Sequence, residues 1–453
     1  MRQDEQKKNI RGSMTEGSPL RCMVMFAVPM ILGNLFQQLY NLVDSMIVGK
    51  YVGADALAAV GVSTAITMLF VMIAVGTGIG CSVMISQLFG AGRISEMKTA
   101  ISTALLSIVA FSLFLSIIGR VASRWILVVM NTPDKLMDGA ETYMNIYFYG
   151  FFFLFLYNAF SAVFNALGDS KKPLFFLLFS SALNITLDLL FVKKFAWGIA
   201  GAAWATFIAQ AISAVLSFFF LFHKLAGIPC DTYRRFDKGI LFQMIRVAIP
   251  TILQQSMVSV GMLLIQAAVN PLGPVFLAGY TAACKIDGIA IVPMVNAGNA
   301  VSTFVAQNMG AGKPGRAKQG YHIGLLMAMG IGILIAVLLY FFGDACVAAF
   351  MDEATDQAAI AVGVQYIGVV SMFYFVMGAM NATNSVLRGA GDMRWFMSIT
   401  LLNLFVRVAL TYLFVDATAG MIIIWANPIG WASGLVLGLC RYKQGGWEKI
   451  KLV

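Results

Sequence analysis

The sequence predicts an all-α integral membrane protein with twelve transmembrane helices, arranged as two six-helix lobes related by a pseudo-two-fold axis along the membrane normal. Three observations predict this fold class. The 453 residues are 60% hydrophobic and only 11% charged, whereas soluble domains are about half apolar and a quarter charged. Apolar segments long enough to cross a bilayer recur along the chain. Short motifs of the first half return in the second half at a nearly constant offset.

Candidate spans come from the rule that a helix needs about 20 mostly apolar residues to cross the hydrocarbon core. Six segments qualify in the first half: 22–48, 56–88, 97–119, 140–167, 173–192 and 198–222. Six more qualify in the second half: 243–270, 276–309, 317–343, 358–387, 395–415 and 418–440. We therefore predict five regions: an amino-terminal tail (1–20), an amino-terminal lobe (21–222), a linker (223–240), a carboxy-terminal lobe (241–440) and a carboxy-terminal tail (441–453).

The distribution of basic residues predicts the orientation. With twelve spans both termini lie on one side, and cytoplasmic segments carry an excess of Lys and Arg. If the amino terminus is cytoplasmic, most of the 31 Lys and Arg residues fall in inner segments. The outer loops then hold only Lys50, Arg120, Arg124, Lys135, Lys193 and Lys194. We predict a multi-pass protein of the plasma (inner) membrane with both termini in the cytoplasm.

Several other function classes are disfavoured. The net charge of +10 is spread between apolar segments, so we expect no nucleic-acid partner. The six cysteines form no CxxC pair, and we expect neither a disulfide framework nor a cofactor. Gly312-Lys313 is followed by Pro314, so it is not a P-loop, and ATP-driven export within this chain is not expected. No nucleophile or metal cluster marks an enzyme, and the duplication disfavours a channel.

The internal repeat is carried by three pairs of segments. The offsets are 221, 220 and 223 residues, so the two copies stay in register over six helices, and each offset spans an even number of helices. The copies should therefore have the same orientation in the membrane. The matching pairs are Ala27-Val28-Pro29 with Ala248-Ile249-Pro250, Ser86 to Arg93 with Ala306 to Lys313, and Leu167 to Lys171 with Ala390 to Arg394.

The duplicated Gln-x-x-Gly-Ala-Gly after the second and eighth spans, together with the Leu387–Asp392 segment and the polar first span, resembles the multidrug and toxic compound extrusion (MATE) transporters. The resemblance covers all twelve spans in order. It implies an export antiporter with a V-shaped pair of six-helix lobes, driven by inward proton or sodium flow. It also implies small amphipathic organic compounds as cargo and membrane lipid as surroundings, and we expect a monomer.

The first span carries a polar stripe that ends in an acid. Asn34, Gln37, Asn41 and Asp44 are spaced by three, four and three residues, which places them on one face of a helix. A carboxylate at membrane depth costs several kcal/mol unless it is paired, hydrated or protonated. Asp44 is therefore a candidate functional residue.

One branch of the family has its acidic site in the amino-terminal lobe, and this chain resembles that branch. Asp44 matches the acid of the first span, and Asn184 and Asp188 match an Asn-x-x-x-Asp pair on the fifth. Asn158 and Thr206 stand where the branch has further polar partners. Tyr40 lies one turn before Asp44 and is positioned to donate to it.

Two carboxylates in a poorly hydrated pocket cannot both ionise cheaply, so one of them should keep its proton more readily than a free carboxyl group. A proton antiporter needs such a group. The same oxygens suit a sodium ion at Asp44, Asp188 and Asn184. The residues leave both ions open, and also leave open a purely structural role in holding helices together by hydrogen bonds.

The second half departs from this pattern. By the repeat offsets, Asp44 corresponds to Ile265, Asn184 to Arg407 and Asp188 to Thr411. We therefore expect ion coupling in the first lobe. The eighth span holds Lys285 and Asp287, which either form a structural pair with a neighbouring helix or belong to the cavity of the carboxy-terminal lobe.

The expected substrate cavity combines polar side chains with Met and Phe. Its candidate polar residues are Gln37, Asn41, Gln255, Ser259, Lys285 and Asp287. Pro29 removes one backbone hydrogen bond from the first span and permits a kink, either static or linked to transport. The leading interpretation is a proton- or sodium-coupled exporter of amphipathic, often cationic, compounds. The alternative is a flippase for a lipid-linked saccharide of the same superfamily fold.

Overall fold

The computed structural model describes residues 13–230, 232–351, 356–450 and 452, and all regular structure in this part of the chain is helical. The first twelve residues of the predicted tail and Asp231 of the predicted linker lie outside the described residues. The helices, in chain order, are α1 Pro19–Tyr51, α2 Ala54–Gly90, α3 Ile94–Val129, α4 Asp134–Ala166, α5 Lys171–Asp188, α6 Gly198–Ala226, α7 Lys238–Val269, α8 Pro274–Ala290, α9 Val292–Gly310, α10 Pro314–Ala348, α11 Gln357–Met372, α12 Tyr374–Ala390, α13 Met393–Phe414 and α14 Met421–Gln444.

The predicted all-helical membrane architecture is confirmed. Eleven described helical segments are long and apolar enough to cross a membrane, and a twelfth is a bent pair. Helices α8 and α9 join into one span, Pro274–Gly310. The bent pair is α11 and α12, which meet at 51° around Phe373. Each predicted segment coincides with one of these spans, and most observed helices extend a few residues further at both ends.

The contacts divide the chain into two compact units. Among the described residues, the first unit holds 13 and 32–252, and the second holds 14–31 and those that follow 252. These boundaries lie inside α1 and α7, whereas the predicted lobes begin at 21 and 241. The loop before α7 is also shorter than the predicted linker, because α6 continues to Ala226 and α7 begins at Lys238.

Each unit has one central helix, and the two central helices occupy equivalent positions in the repeat. In the first unit α4 packs along α2, α3 and α6. Its fully buried face is aromatic, with Phe148, Phe151 and Phe155 in edge or tilted contacts. In the second unit α12 packs along α9, α10 and α14. The duplication seen in the sequence is thus also a duplication of helix packing.

The repeated Gln-x-x-Gly-Ala-Gly motif ends a helix and anchors a neighbouring segment. Gly92 and Gly312 have φ values of +70° and +67°, in the left-handed region that a side chain disfavours. In the second unit, Gln307 Oε1 accepts from Met14 N at 2.7 Å, and Lys313 and Arg316 donate to carbonyls of Thr15 and Glu16. The motif therefore fixes the segment that precedes α1.

The loop before α7 is held in a similar way, here within the first unit. Lys98 Nζ donates to the Ile228 carbonyl at 2.7 Å, and Thr103 Oγ1 accepts from Asp237 N at 3.0 Å. Asp237 also caps α7, since its Oδ1 accepts from Ile240 N at 3.1 Å. That hydrogen bond lowers the pKa of the Asp237 carboxyl below its usual value. The charged loop is therefore a docked element of the fold.

The repeated Gly-Asp motif pairs each half's aspartate with a base on the last helix of that half. Asp169 Oδ2 accepts from Lys224 Nζ at 2.7 Å, with both side chains about a quarter exposed. Asp392 Oδ2 accepts from Arg441 Nε at 2.8 Å, and there the Asp392 side chain is only 5% exposed. The two pairs are equivalent in the repeat but differ in burial.

This difference predicts unequal costs for the same substitution. We expect Asp392→Asn to destabilise the protein by about 2–4 kcal/mol, because it leaves a largely buried guanidinium without its counter-ion. Asp169→Asn is the matched control and should cost less than about 1 kcal/mol. Thermal melting of the two purified variants in one detergent tests this, and equal melting temperatures would contradict the burial argument.

Helices α8 and α11 cross with backbone contact at two glycines. A Cβ on Gly279 would lie 2.2 Å from the Ala359 carbonyl oxygen, and one on Gly363 would lie 3.0 Å from the Gly279 oxygen. Small residues allow such approach between membrane helices, where packing supplies much of the association energy. Gly288, on the same helix α8, has open space around its Cβ position.

We expect Gly279→Ala to destabilise the second unit by about 1–3 kcal/mol, since the neighbouring backbone must move. Gly288→Ala should be neutral or stabilising by up to about 1 kcal/mol through helix propensity. The measurement is the melting temperature of each variant by circular dichroism. A Gly279→Ala protein as stable as Gly288→Ala would show that the crossing is not tightly packed.

Candidate functional site

Two acids inside membrane spans come together in the first unit. Asp44, on α1, and Asp188, the last residue of α5, have carboxyl groups close enough to share a hydrogen bond. Asp188 is fully buried, and Asp44 is half-buried. A hydrogen bond between two carboxyls requires a proton on one of them. The geometry of the pair therefore leaves room for one proton between the two carboxyl groups.

Asp188 lies at the point where α5 changes from an α-helix to a π-helical turn. Immediately after it the chain forms a π-helical turn, Leu189–Lys194, and such turns are rare and often occur at functional sites. The turn is supported by stacking of Phe191 on Trp197, with ring centroids 4.8 Å apart. The aspartate therefore sits where the regular helix gives way to a wider turn.

Asn184 connects the acid to the next helix. It lies one turn before Asp188 and is buried. In the amide orientation that satisfies both neighbours, its nitrogen donates to Asp188 Oδ2 at 3.3 Å and its oxygen accepts from Thr206 N at 3.3 Å. In the other orientation its nitrogen donates to Thr206 Oγ1 at 3.3 Å. Either arrangement joins α5 to α6 beside the carboxyl pair.

The other predicted residues of the first half lie at differing distances from the pair. Tyr40 is within electrostatic range of Asp44, and its hydroxyl shares a hydrogen bond with Gln37. Asn158 donates to the Leu154 carbonyl of its own helix at 2.9 Å. Asn41 is exposed, and its carbonyl accepts from the Ser45 hydroxyl. Their roles stay predictions.

Two tyrosines near the carboxyl pair were not predicted. Tyr143 is buried and within electrostatic range of both Asp44 and Asp188, and it stacks on Tyr147. Tyr147 in turn shares a hydrogen bond with Gln210. The spacing of Tyr143 and Tyr147, four residues apart on α4, could have revealed a shared polar-aromatic face.

The atoms that this site offers to a ligand suit a small cation. All candidate ligating atoms are oxygens, from two carboxylates, an amide and a hydroxyl, which is the set that sodium prefers. One oxygen of each acid, Asp44 Oδ1 and Asp188 Oδ1, is buried and has no hydrogen-bond partner. The same pair accommodates a proton between its carboxyls. The oxygens of the site therefore suit either a proton or a sodium ion.

The second unit has a separate polar cluster around Asp287, on α8. Tyr374, the first residue of α12, donates its hydroxyl to Asp287 Oδ1 at 2.7 Å. The break between α11 and α12 thus coincides with the residue that holds this acid. Lys285 is exposed, and its Nζ lies 5.5 Å from the centre of the Phe350 ring, so it does not pair with Asp287.

The remaining predicted cavity and kink residues are placed by their helices. Gln255 and Ser259 are half-buried on α7, one turn apart. Pro29 lies inside α1, which continues from Pro19 to Tyr51. The division between the two units falls three residues later, at Leu32. A proline therefore precedes the point where α1 passes from one unit to the other.

Comparison with known proteins gives a consistent result. The MatE family model matches residues 29–190 and again 250–413, once in each half. "Probable multidrug resistance protein YpnP" of Bacillus subtilis is 31% identical, over 97% of this chain and 98% of its own length. "Probable multidrug resistance protein NorM" of Thermotoga maritima is 22% identical, over 94% and 93%.

A solved structure shows the same fold. It is described as the outward-facing conformation of a multidrug resistance MATE family transporter of the MOP superfamily. It superposes with a TM-score of 0.89 at 22% identity and covers 97% of this chain and 99% of its own. The double match of the family model agrees with the repeat read from the sequence.

Asn184 gives a test of the site that does not depend on transport. We expect Asn184→Ala to destabilise the protein by about 1.5–3 kcal/mol, because it removes a buried hydrogen bond to a carboxyl group. Thr186→Ala, on the exposed face of the same helix, should change stability by less than about 0.5 kcal/mol. Both are measured by thermal melting, and indistinguishable variants would show that the amide does not support Asp188.

Proposed function

Because this chain belongs to the MATE family of multidrug transporters, we propose that it is a cation-coupled antiporter that exports amphipathic, often cationic, organic compounds by alternating access. The observation that carries the proposal is the carboxyl pair Asp44 and Asp188 inside the spans of the first unit. A titratable or ion-binding acid at membrane depth is expensive to keep. A role in coupling export to an ion gradient would explain why acids are present at this depth.

The proposed cycle uses the pair as a single exchange site. When a proton or sodium ion enters, the negative charge between α1 and α5 is neutralised, and the contacts of both helices change. When the ion leaves, the carboxylates repel each other or recruit hydration. A ligand shifts a conformational equilibrium only by its differential affinity for the two states. Ion occupancy supplies that difference because it alters the net charge of the site.

The proposed antiporter also implies a location and an orientation in the membrane. We propose a monomer in the plasma membrane with both termini in the cytoplasm, so that the ion enters from outside and cargo leaves. The basic inner segments support this orientation. At the repeat positions of these two acids the second unit has Ile265 and Thr411. Coupling is therefore assigned to the first unit.

We expect Asp44→Asn to lower gradient-driven export by at least about tenfold, because the amide neither releases a proton nor carries the charge that binds sodium. The assay is efflux of a fluorescent organic cation from proteoliposomes, with proton and sodium gradients imposed in turn. The gradient that drives wild-type export identifies the coupling ion.

Asp55→Asn is the control, because this acid lies exposed in the first turn of α2. It should leave export near the wild-type rate. Full export by Asp44→Asn, or wild-type export that ignores both gradients, would refute the proposal. In the second case, translocation of a lipid-linked saccharide would be the function to assay next.

A further inference from the structure

Arg407, on α13, is a positive charge within a membrane span that has no anionic partner in contact. A guanidinium stays charged, and at membrane depth it is normally paired or turned to a polar cavity. The Arg407 side chain is half-buried, and its Nε is buried without a hydrogen-bond partner. The ion pairs among the described residues do not include it.

The nearest acid does not neutralise Arg407 by contact. Asp287 is within electrostatic range of Arg407, but its carboxylate accepts its hydrogen bond from Tyr374. Cys284 and Tyr280, one and two turns before Asp287 on α8, also interact electrostatically with Arg407. The guanidinium therefore lies near polar side chains of the second unit, and the acid among them, Asp287, is already hydrogen-bonded to Tyr374.

Further polar atoms in this part of the unit are left without partners. Asn403 precedes Arg407 by one turn, and its Oδ1 is buried and unpartnered. Asn427 Oδ1 is likewise buried and unpartnered, although its nitrogen donates to Tyr366 at 2.7 Å. Amide oxygens accept hydrogen bonds, so they would bind N–H or O–H groups next to an anion. These oxygens add unused hydrogen-bond acceptors to the same unit as the unpaired Arg407 Nε.

The repeat sharpens the contrast between the two halves. Arg407 stands at the position of Asn184, and Thr411 stands at that of Asp188. Both Thr411 and Asp188 are fully buried, so the two helices present the same face to their own units. At the positions of the two acids the second unit has Ile265 and Thr411, and it has the base Arg407 where the first unit has the neutral Asn184. The charge at this place in the repeat therefore differs between the two units.

We propose that Arg407 binds an anionic group, a carboxylate or a phosphate, of the transported molecule. The cargo then includes amphipathic anions and zwitterions in addition to organic cations. This inference rests on the proposed export function only for the statement that the bound molecule is cargo. Binding itself is a property of the second unit.

The test measures binding to the purified full-length protein in detergent, by fluorescence of three matched probes. These are dansylaminoundecanoate, its uncharged methyl ester, and the corresponding dansyl alkyl phosphate. We expect the wild type to bind at least one of the anionic probes about tenfold more tightly than the ester. Arg407→Gln should remove that preference, and Arg407→Lys should retain part of it, since charge is kept without the planar fork.

Arg120→Gln is the matched control, because Arg120 is an exposed arginine on α3 of the first unit and stacks on Tyr149. It should keep the preference. Equal wild-type affinity for all three probes, or an unchanged preference in Arg407→Gln, would overturn the inference. The wild-type comparison needs no variant, so a misfolded Arg407→Gln does not block the test.

Failure of this inference is distinct from failure of the proposed function. Gradient-driven export of a cation with no anion preference would leave the exporter standing and remove the Arg407 site. An Arg407-dependent preference in a protein that ignores both gradients would retain the site and remove the antiporter.

Discussion

The carboxyl pair between α1 and α5 is the interaction on which the candidate site of the first unit depends. Lipid provides no water to solvate a charge, so an acid at that depth must find a partner within the protein. Asp44 and Asp188 are close enough to share a hydrogen bond, and under the proposed function a proton or a sodium ion accompanies them. The π-helical turn after Asp188 and the Asn184 bridge to α6 are the local structures that keep the two acids together.

The second unit meets the same constraint differently. Its buried acid, Asp287, takes a phenol as its partner, and this bond is possible because span ten breaks at Phe373 and begins again with Tyr374. Its base, Arg407, has no ion-pair partner among the described residues. The two copies of the scaffold therefore carry different charged residues within their spans, while the glycine helix ends and the Gly-Asp ion pairs are found in both.

Much of the fold was predictable from the sequence because membrane spans depend on length and apolar composition, and a repeat is visible as recurring letters. The pairing of Asp44 with Asp188 was predictable only through the family resemblance, since two residues 144 positions apart leave no local pattern. Tyr143 and Tyr147 were not predicted because a tyrosine in a membrane helix is as typical of the packed core or of the membrane–water interface as of a functional site. The isolation of Arg407 could not be predicted, because whether a charge has a partner depends on side-chain positions.

The attachment of the segment before α1 has a consequence for biosynthesis. Met14 is bound by Gln307, 293 residues further along the chain, and Arg316 holds the same segment. Domains usually fold as they emerge from the ribosome, starting from the amino terminus. Here the first part of α1 belongs to a unit whose remainder is synthesised last. The segment before α1 therefore reaches its final contacts only after Gln307 of the eighth span and Arg316 of the ninth have been synthesised, and a ribosome stalled before Gln307 would leave that segment open to proteolysis.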